Sequence, residues 1–230
     1  MILKMTNVYI MNAELQNWIR MRTNRAIFLG SFNPPHNGHL NCLRSVINSE
    51  AYKRLDIDKI HVIPCFQNPN KNVYNDPKAS YWQRYNMCKL EFASLNENVV
   101  IDDIEYKLVK DNSPLYTYQL IEYFKSDIDN IISKDFWWII TVETLKEIQD
   151  GKWKNWQNLL ENNNFIIIYK RGDKFIIPDN CNIEIIELEE NPNANMHSTQ
   201  LREMIKNNED VYPYINLGTQ VYINQNKIYK

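Results

Sequence analysis

Short apolar runs alternating with helix-period segments predict an α/β protein, built as a doubly wound parallel sheet of about six strands with flanking helices. Three observations carry this. The run Ala26-Ile27-Phe28-Leu29 stops at Gly30-Ser31, and after a proline-stiffened loop Leu40, Leu43, Val46 and Ile47 fall on one helical face. A second run, 59–64, follows about thirty residues later, the size of a βαβ unit. The most apolar run, Phe136-Trp137-Trp138-Ile139-Ile140, reads as a central strand covered on both faces.

Composition bounds the rest. A chain of 230 residues with 44% hydrophobic content suits one large domain, or one with a small appendage, and supports a proper core. With a net charge of −2, nothing suggests a general affinity for nucleic acid or anionic membrane. Cys42, Cys65, Cys88 and Cys181 are scattered without a C-x-x-C pair and read as reduced, intracellular thiols. No apolar stretch approaches ~20 residues, so no spanning helix is expected. Asn7, Asn12 and Glu14 interrupt the first apolar residues and no small-residue cleavage site follows, so no signal peptide is read. A cytoplasmic protein is the expectation. The abundance of Asn is taken as compositional bias.

Residues 1–25 are an N-terminal extension of unassigned role, with Leu15, Trp18 and Ile19 on one side of a possible helix over 13–21. The domain proper is 26–230. Its first unit is strand, tight loop, helix. Asn33-Pro34-Pro35 stiffens the loop, because each Pro fixes its own φ and biases the preceding residue away from helix. Unpaired N–H groups at the helix start, with the helix dipole, form an anion site, most often for phosphate. His36 and His39 lie three apart and both can face it, while Gly38 permits close backbone approach to a ligand. A metal site with Cys42 is not expected, since positions successively three apart drift round one helix and cannot close a tetrahedron.

Residues 65–72 form a loop at a strand's carboxyl end, where open parallel sheets carry ligand sites. Lys71 in it is a candidate phosphate ligand or a solvated lysine. The stretch 80–95 is a helix, with Ser80 as N-cap and Tyr81, Tyr85, Cys88, Phe92 and Leu95 as its apolar stripe. Strands are expected over 99–104, 165–169 and 183–188. At 195–202 a further helix opens. Ser198 or Thr199 can cap it while offering hydroxyl and N–H to phosphate, and Arg202 one turn on brings a planar fork for bidentate binding. A closing helix is read over 211–229, with Pro213 in its first turn.

The stretch Gly30-Ser31-Phe32-Asn33-Pro34-Pro35-His36-Asn37-Gly38-His39-Leu40 resembles the H-x-G-H signature of the nucleotidylyltransferase superfamily, and more closely the first motif of the nicotinate-nucleotide (NaMN) adenylyltransferases. The resemblance runs in order over about 26–230. It takes in Pro69 and Lys71, Arg84 and Met87, Ser113-Pro114-Leu115-Tyr116-Thr117, Trp153 to Gly172, and Ser198-Thr199-Gln200-Leu201-Arg202. Four departures stand out. Leu29 occupies the place of the first Gly after the strand, Asn70 that of a His, Thr141-Val142-Glu143 that of Gly-x-Asp, and Leu115 that of a Ser.

The resemblance implies a Rossmann-like fold and an enzyme of NAD biosynthesis. The reaction it implies is ATP plus nicotinate mononucleotide giving deamido-NAD plus pyrophosphate. His36, His39 and Arg202 would be catalytic. ATP and its phosphates would meet Gly30, Ser31, Phe32, Gly38, Lys71, Glu143, Ser198 and Thr199. Thr117 and Trp153 would meet the mononucleotide, with the pyridine ring stacked on the Trp153 indole. Mg²⁺ would arrive with ATP and need no dedicated protein ligands. The implied partners are small molecules, without nucleic acid or membrane, and a homo-oligomer is compatible. Nicotinamide mononucleotide, or another phosphate or phosphocholine-like acceptor, is an alternative substrate, and a catalytically silent nucleotide-binding protein is an alternative of another class.

Overall fold

The computed structural model describes residues 23–67, 79–109, 113–126, 133–179, 181–192 and 196–230. The helix read over 13–21 and Lys71 lie outside the described residues. In chain order the elements are β1 (Thr23–Gly30), α1 (Asn37–Asn48), α2 (Glu50–Arg54), β2 (Ile57–Pro64), α3 (Tyr81–Glu91), β3 (Val99–Ile101), α4 (Ile104–Leu108), α5 (Thr117–Ser126), β4 (Ser133–Thr141), α6 (Val142–Gln149), α7 (Trp156–Glu161), β5 (Asn164–Tyr169), β6 (Ile183–Glu187), α8 (Ser198–Lys206) and α9 (Leu217–Gln225).

The strands form one parallel sheet in the order β3-β2-β1-β4-β5-β6. Period-two alternation sorts each apolar run between its two faces. Ala26, Phe28, Trp137, Ile139, Ile166 and Ile168 pack with Leu40, Leu43 and Val46 of α1 on one side. Ile27, Trp138, Ile140, Phe165 and Ile167 pack with α5, α6 and α7 on the other. Both faces are therefore covered, as an all-parallel sheet requires. This is the doubly wound architecture that the alternation of runs predicts.

A third apolar cluster joins Ala79 and Met87 to α8, α9 and the residues after α9. It explains why α3 buries more than its expected stripe. Tyr81, Cys88 and Phe92 are buried as read, but so are Met87 and Glu91 on the side facing α9, and Arg84 against the loops after β1 and β2. The buried Glu91 carboxylate accepts from Thr219 Oγ1 at 2.8 Å and from the Asn216 N–H at 3.1 Å, at the N-terminus of α9.

Several boundaries differ from the sequence reading. β1 starts at Thr23, so the last three residues assigned to the extension belong to the sheet. β3 ends at Ile101, because Asp102 Oδ1 accepts from the Ile104 N–H at 2.9 Å and α4 begins there. The closing helix spans Leu217–Gln225 only, since Asn216 caps it by accepting from the Thr219 N–H at 2.8 Å. Pro213 lies in the turn before that helix rather than in its first turn.

Candidate active site

β1 has β2 on one side and β4 on the other, so the sheet order reverses between β1 and β4. In open α/β sheets the ligand crevice lies beyond the carboxyl ends at such a point. Three segments described here leave those ends: the loop 31–36 after β1, Cys65 to Gln67 after β2, and α6 after β4.

The loop 31–36 is held by buried contacts. A Cβ on Gly30 would stand 2.8 Å from the Phe32 ring, so this position needs glycine. Phe32 has φ +46° and a side chain only 1% exposed, packed on Phe28, Phe92 and, edge-on at 5.0 Å, the His39 ring. The side chain thus supports His39 from behind, and contact of Phe32 with ATP falls to its backbone. The Ser31 carbonyl accepts from Arg84 Nη1 at 2.7 Å, and the Ser31 hydroxyl accepts from Cys65 Sγ at 3.6 Å. Arg84 also donates to the Phe66 carbonyl at 3.0 Å, while Glu105 accepts from the Phe66 N–H at 2.7 Å. Arg84 thus ties the β1 loop to the β2 loop.

The histidines cap α1 reciprocally. His36 is the N-cap, and its Nδ1 accepts from the Gly38 N–H at 3.0 Å. His39 Nδ1 accepts from the His36 N–H at 3.3 Å. A backbone N–H can only donate, so each Nδ1 is bare and each neutral ring carries its proton on Nε2. The ring centroids lie 3.9 Å apart. His36 is buried, and this desolvation, followed by the charges of His39 and His197, holds its pKa well below the usual histidine value. It is neutral at physiological pH and acts as an Nε2–H donor. Gly38 is buried with its N–H engaged by His36 rather than left for a ligand.

The last motif closes on this loop from the far end of the chain. Ser198 is the first residue of α8, and its hydroxyl donates to the Pro34 carbonyl at 2.8 Å. Arg202, 6% exposed, donates from Nη1 to the Asn33 carbonyl at 2.7 Å and from Nη2 to Thr199 Oγ1 at 3.1 Å. The N-cap of α8 is His197, which corrects the assignment of the cap to Ser198 or Thr199. The Asn37 N–H and side chain donate to Tyr214 and Pro213 carbonyls at 2.7 and 2.9 Å. The N-termini of α1 and α8 therefore meet at one short loop, an arrangement that favours anions. The structure brings the two motifs together and adds His197, Asn37 and the Asn33 side chain, to which sequence reasoning gave no place in the site.

Thr117 and Trp153 belong to a second group. Thr117 begins α5 and is half-buried. Trp153, also half-buried, meets the Trp138 ring edge-on at 5.7 Å and donates from Nε1 to Glu147 Oε2 at 3.3 Å. Lys154 Nζ sits 4.1 Å from the centroid of the Tyr116 ring, so the Trp153 and Thr117 segments are neighbours. Glu143 is exposed in the first turn of α6. Thr141 caps that helix with φ −90°, a backbone that needs no glycine, and Leu29 packs on the cluster beneath α5 and α6. Among the described residues no group of three or more His, Cys, Asp or Glu is arranged to hold a metal, and no helix is long and apolar enough to cross a membrane.

Comparison with known proteins agrees with this architecture. The family model described as Cytidylyltransferase-like matches residues 27–204. A "Probable nicotinate-nucleotide adenylyltransferase" of Fusobacterium nucleatum is 34% identical over 197 residues, covering 83% of this chain and 92% of the relative. One of the same description from Clostridium tetani is 31% identical over 214 residues, covering 90% and 98%. The Plasmodium falciparum nicotinic acid mononucleotide adenylyltransferase complexed with NaAD superposes with a TM-score of 0.72 at 21% identity, over 90% of this chain and 98% of that one, and shares its fold. The chain belongs to the cytidylyltransferase-like family and, within it, to the nicotinate-nucleotide adenylyltransferases.

Proposed function

We propose that this protein transfers the adenylyl group of ATP to nicotinate mononucleotide, giving deamido-NAD and pyrophosphate. The observation that carries the chemistry is the reciprocal histidine cap, which sets the ring protons of His36 and His39 on Nε2 where two helix N-termini meet. In the reaction a phosphate oxygen of the mononucleotide attacks the α-phosphorus of ATP. The bond from that phosphorus to the bridging oxygen breaks, and pyrophosphate leaves. The nucleophile is already ionised at neutral pH, because its second pKa is ~6, so no general base is needed. What the protein must supply is alignment and neutralisation of developing charge. His39, the less buried of the pair, serves the α-phosphate and His36 supports it. Arg202, Ser198 and Thr199 form the β- and γ-phosphate side and brace the loop through Asn33 and Pro34. Mg²⁺ enters as part of the ATP substrate, held by phosphate oxygens and water. Trp153 and Thr117 receive the pyridine nucleotide. The protein works without nucleic acid or membrane partners, in the cytoplasm.

Pyrophosphate release from ATP, measured with nicotinate mononucleotide and with nicotinamide mononucleotide, tests this. Release with the nicotinate form in preference is expected. Preference for the nicotinamide form would replace the acceptor, and release with neither would remove the catalytic reading.

A further inference from the structure

Tyr229, which follows α9, has no part in the motifs that carry the chemistry, yet it reaches into them. Its hydroxyl donates to Asn33 Oδ1 at 2.7 Å, a contact between residues 196 positions apart. The same Oδ1 accepts from the Ala79 N–H at 3.3 Å, and the Asn33 carbonyl accepts from Arg202. Because a backbone N–H only donates, the Asn33 amide is oriented with its oxygen toward Tyr229. Asn33 is 7% exposed and Tyr229 6% exposed. The Tyr229 ring belongs to the apolar cluster of α8 and α9, where phenylalanine would pack equally well. A hydroxyl buried there must find its partner, and it finds one in the loop between β1 and α1. The backbone bends to allow this: Lys227 and Tyr229 have φ +51° and +66°. A bulky residue in that region persists only where its surroundings hold it.

We propose that Tyr229 is a positioning residue for adenylyl transfer: its hydroxyl holds Asn33, and through Asn33 it fixes the loop that carries His36 and receives the ATP phosphates. Asn33 is gripped at its side chain by Tyr229 and Ala79 and at its carbonyl by Arg202, so the loop is clamped from the α9 side and the α8 side together. The proposal rests on the adenylyl-transfer reading, which turnover of the unaltered protein tests separately.

Tyr229→Phe deletes the hydroxyl and keeps the ring. The loss of one net hydrogen bond to the loop lowers kcat/KM for ATP about three- to tenfold, leaving KM for the mononucleotide unchanged. A merely structural weakening would reduce the active fraction and leave both KM values alone. Asn33→Ala is expected to lose at least as much, and adding Tyr229→Phe to it nothing more, since both act through one contact. Calorimetric binding of a non-hydrolysable ATP analogue weakens in the same order, and that readout stands even if the unaltered protein turns over no mononucleotide. Unchanged kinetics and analogue binding in Tyr229→Phe would make Tyr229 a core plug and overturn the proposal. Additive losses in the double variant would do the same. Should Tyr229→Phe fail to fold, Asn33→Ala decides on the same readouts: an ATP-selective loss supports the clamp, and equal losses for both substrates overturn it.

Discussion

Where His36 and His39 stand, the fixing contacts run mainly to backbone: Gly38 N–H, His36 N–H, and the carbonyls of Ser31, Asn33 and Pro34, with the Tyr229 hydroxyl on the Asn33 side chain beside them. Where Thr117 and Trp153 stand, they run from side chain to side chain: Trp153 to Glu147, Trp153 to Trp138, Lys154 to Tyr116. The difference matches the two tasks proposed for these regions. Phosphate charge develops at the same points for any acceptor, so donors fixed on backbone cost no reorganisation at the moment of reaction. Choice of acceptor depends on one or two contacts to a carboxylate or carboxamide, and side-chain contacts can change without disturbing the fold. The family's departures in this chain also follow the division. Leu29 and Thr141 are absorbed by core packing and a helix cap, whereas the loop from Gly30 to Leu40 keeps its pattern.

Damage on the backbone-fixed side is expected to be largest. His39→Ala removes one preorganised donor and lowers kcat by about 10²–10³, with a smaller effect on ATP binding. Steady-state kinetics check it, and near-normal turnover in a folded variant would erase the distinction between the two sides. Next comes Arg202→Lys, which keeps the charge but loses the fork that reaches Asn33 and Thr199 together. Loss of a charged hydrogen bond predicts a fall in kcat/KM for ATP of about ten- to a hundredfold. Unchanged ATP kinetics would show that the buried guanidinium does nothing for the loop.

On the acceptor side the effect is smaller and selective. Trp153→Ala raises KM for nicotinate mononucleotide about tenfold, through lost stacking and lost contact area, and leaves KM for ATP nearly unchanged. Titration with the mononucleotide also quenches tryptophan fluorescence, and Trp153→Phe loses part of that signal. A rise in both KM values would mean that the Trp138 contact, not the ligand, is what Trp153 serves.

Much of this was legible in the chain because it is local. The six apolar runs became the six strands, and the H-x-G-H loop and the Ser198–Arg202 segment came together as their helix-start chemistry implied. What escaped the sequence is polar and long-range. Nothing near Asn33 announces a partner at Tyr229, and nothing near Arg84 announces the carbonyls of Ser31 and Phe66. The place of the Phe32 ring escaped for a related reason: φ +46° beside a glycine turns it into the core. The capping role of His197 was hidden by the two hydroxyl residues that follow it, both better caps by propensity.

The proton positions on the two rings are the most direct point of attack. ¹⁵N-resolved spectra of the neutral imidazoles of His36 and His39 should show a bare Nδ1 and a protonated Nε2 on both. Addition of a non-hydrolysable ATP analogue should shift the Nε2 resonances, His39 most. An Nδ1-protonated ring at either position, or Nε2 resonances indifferent to the nucleotide, would contradict the assignment of these histidines as phosphate donors.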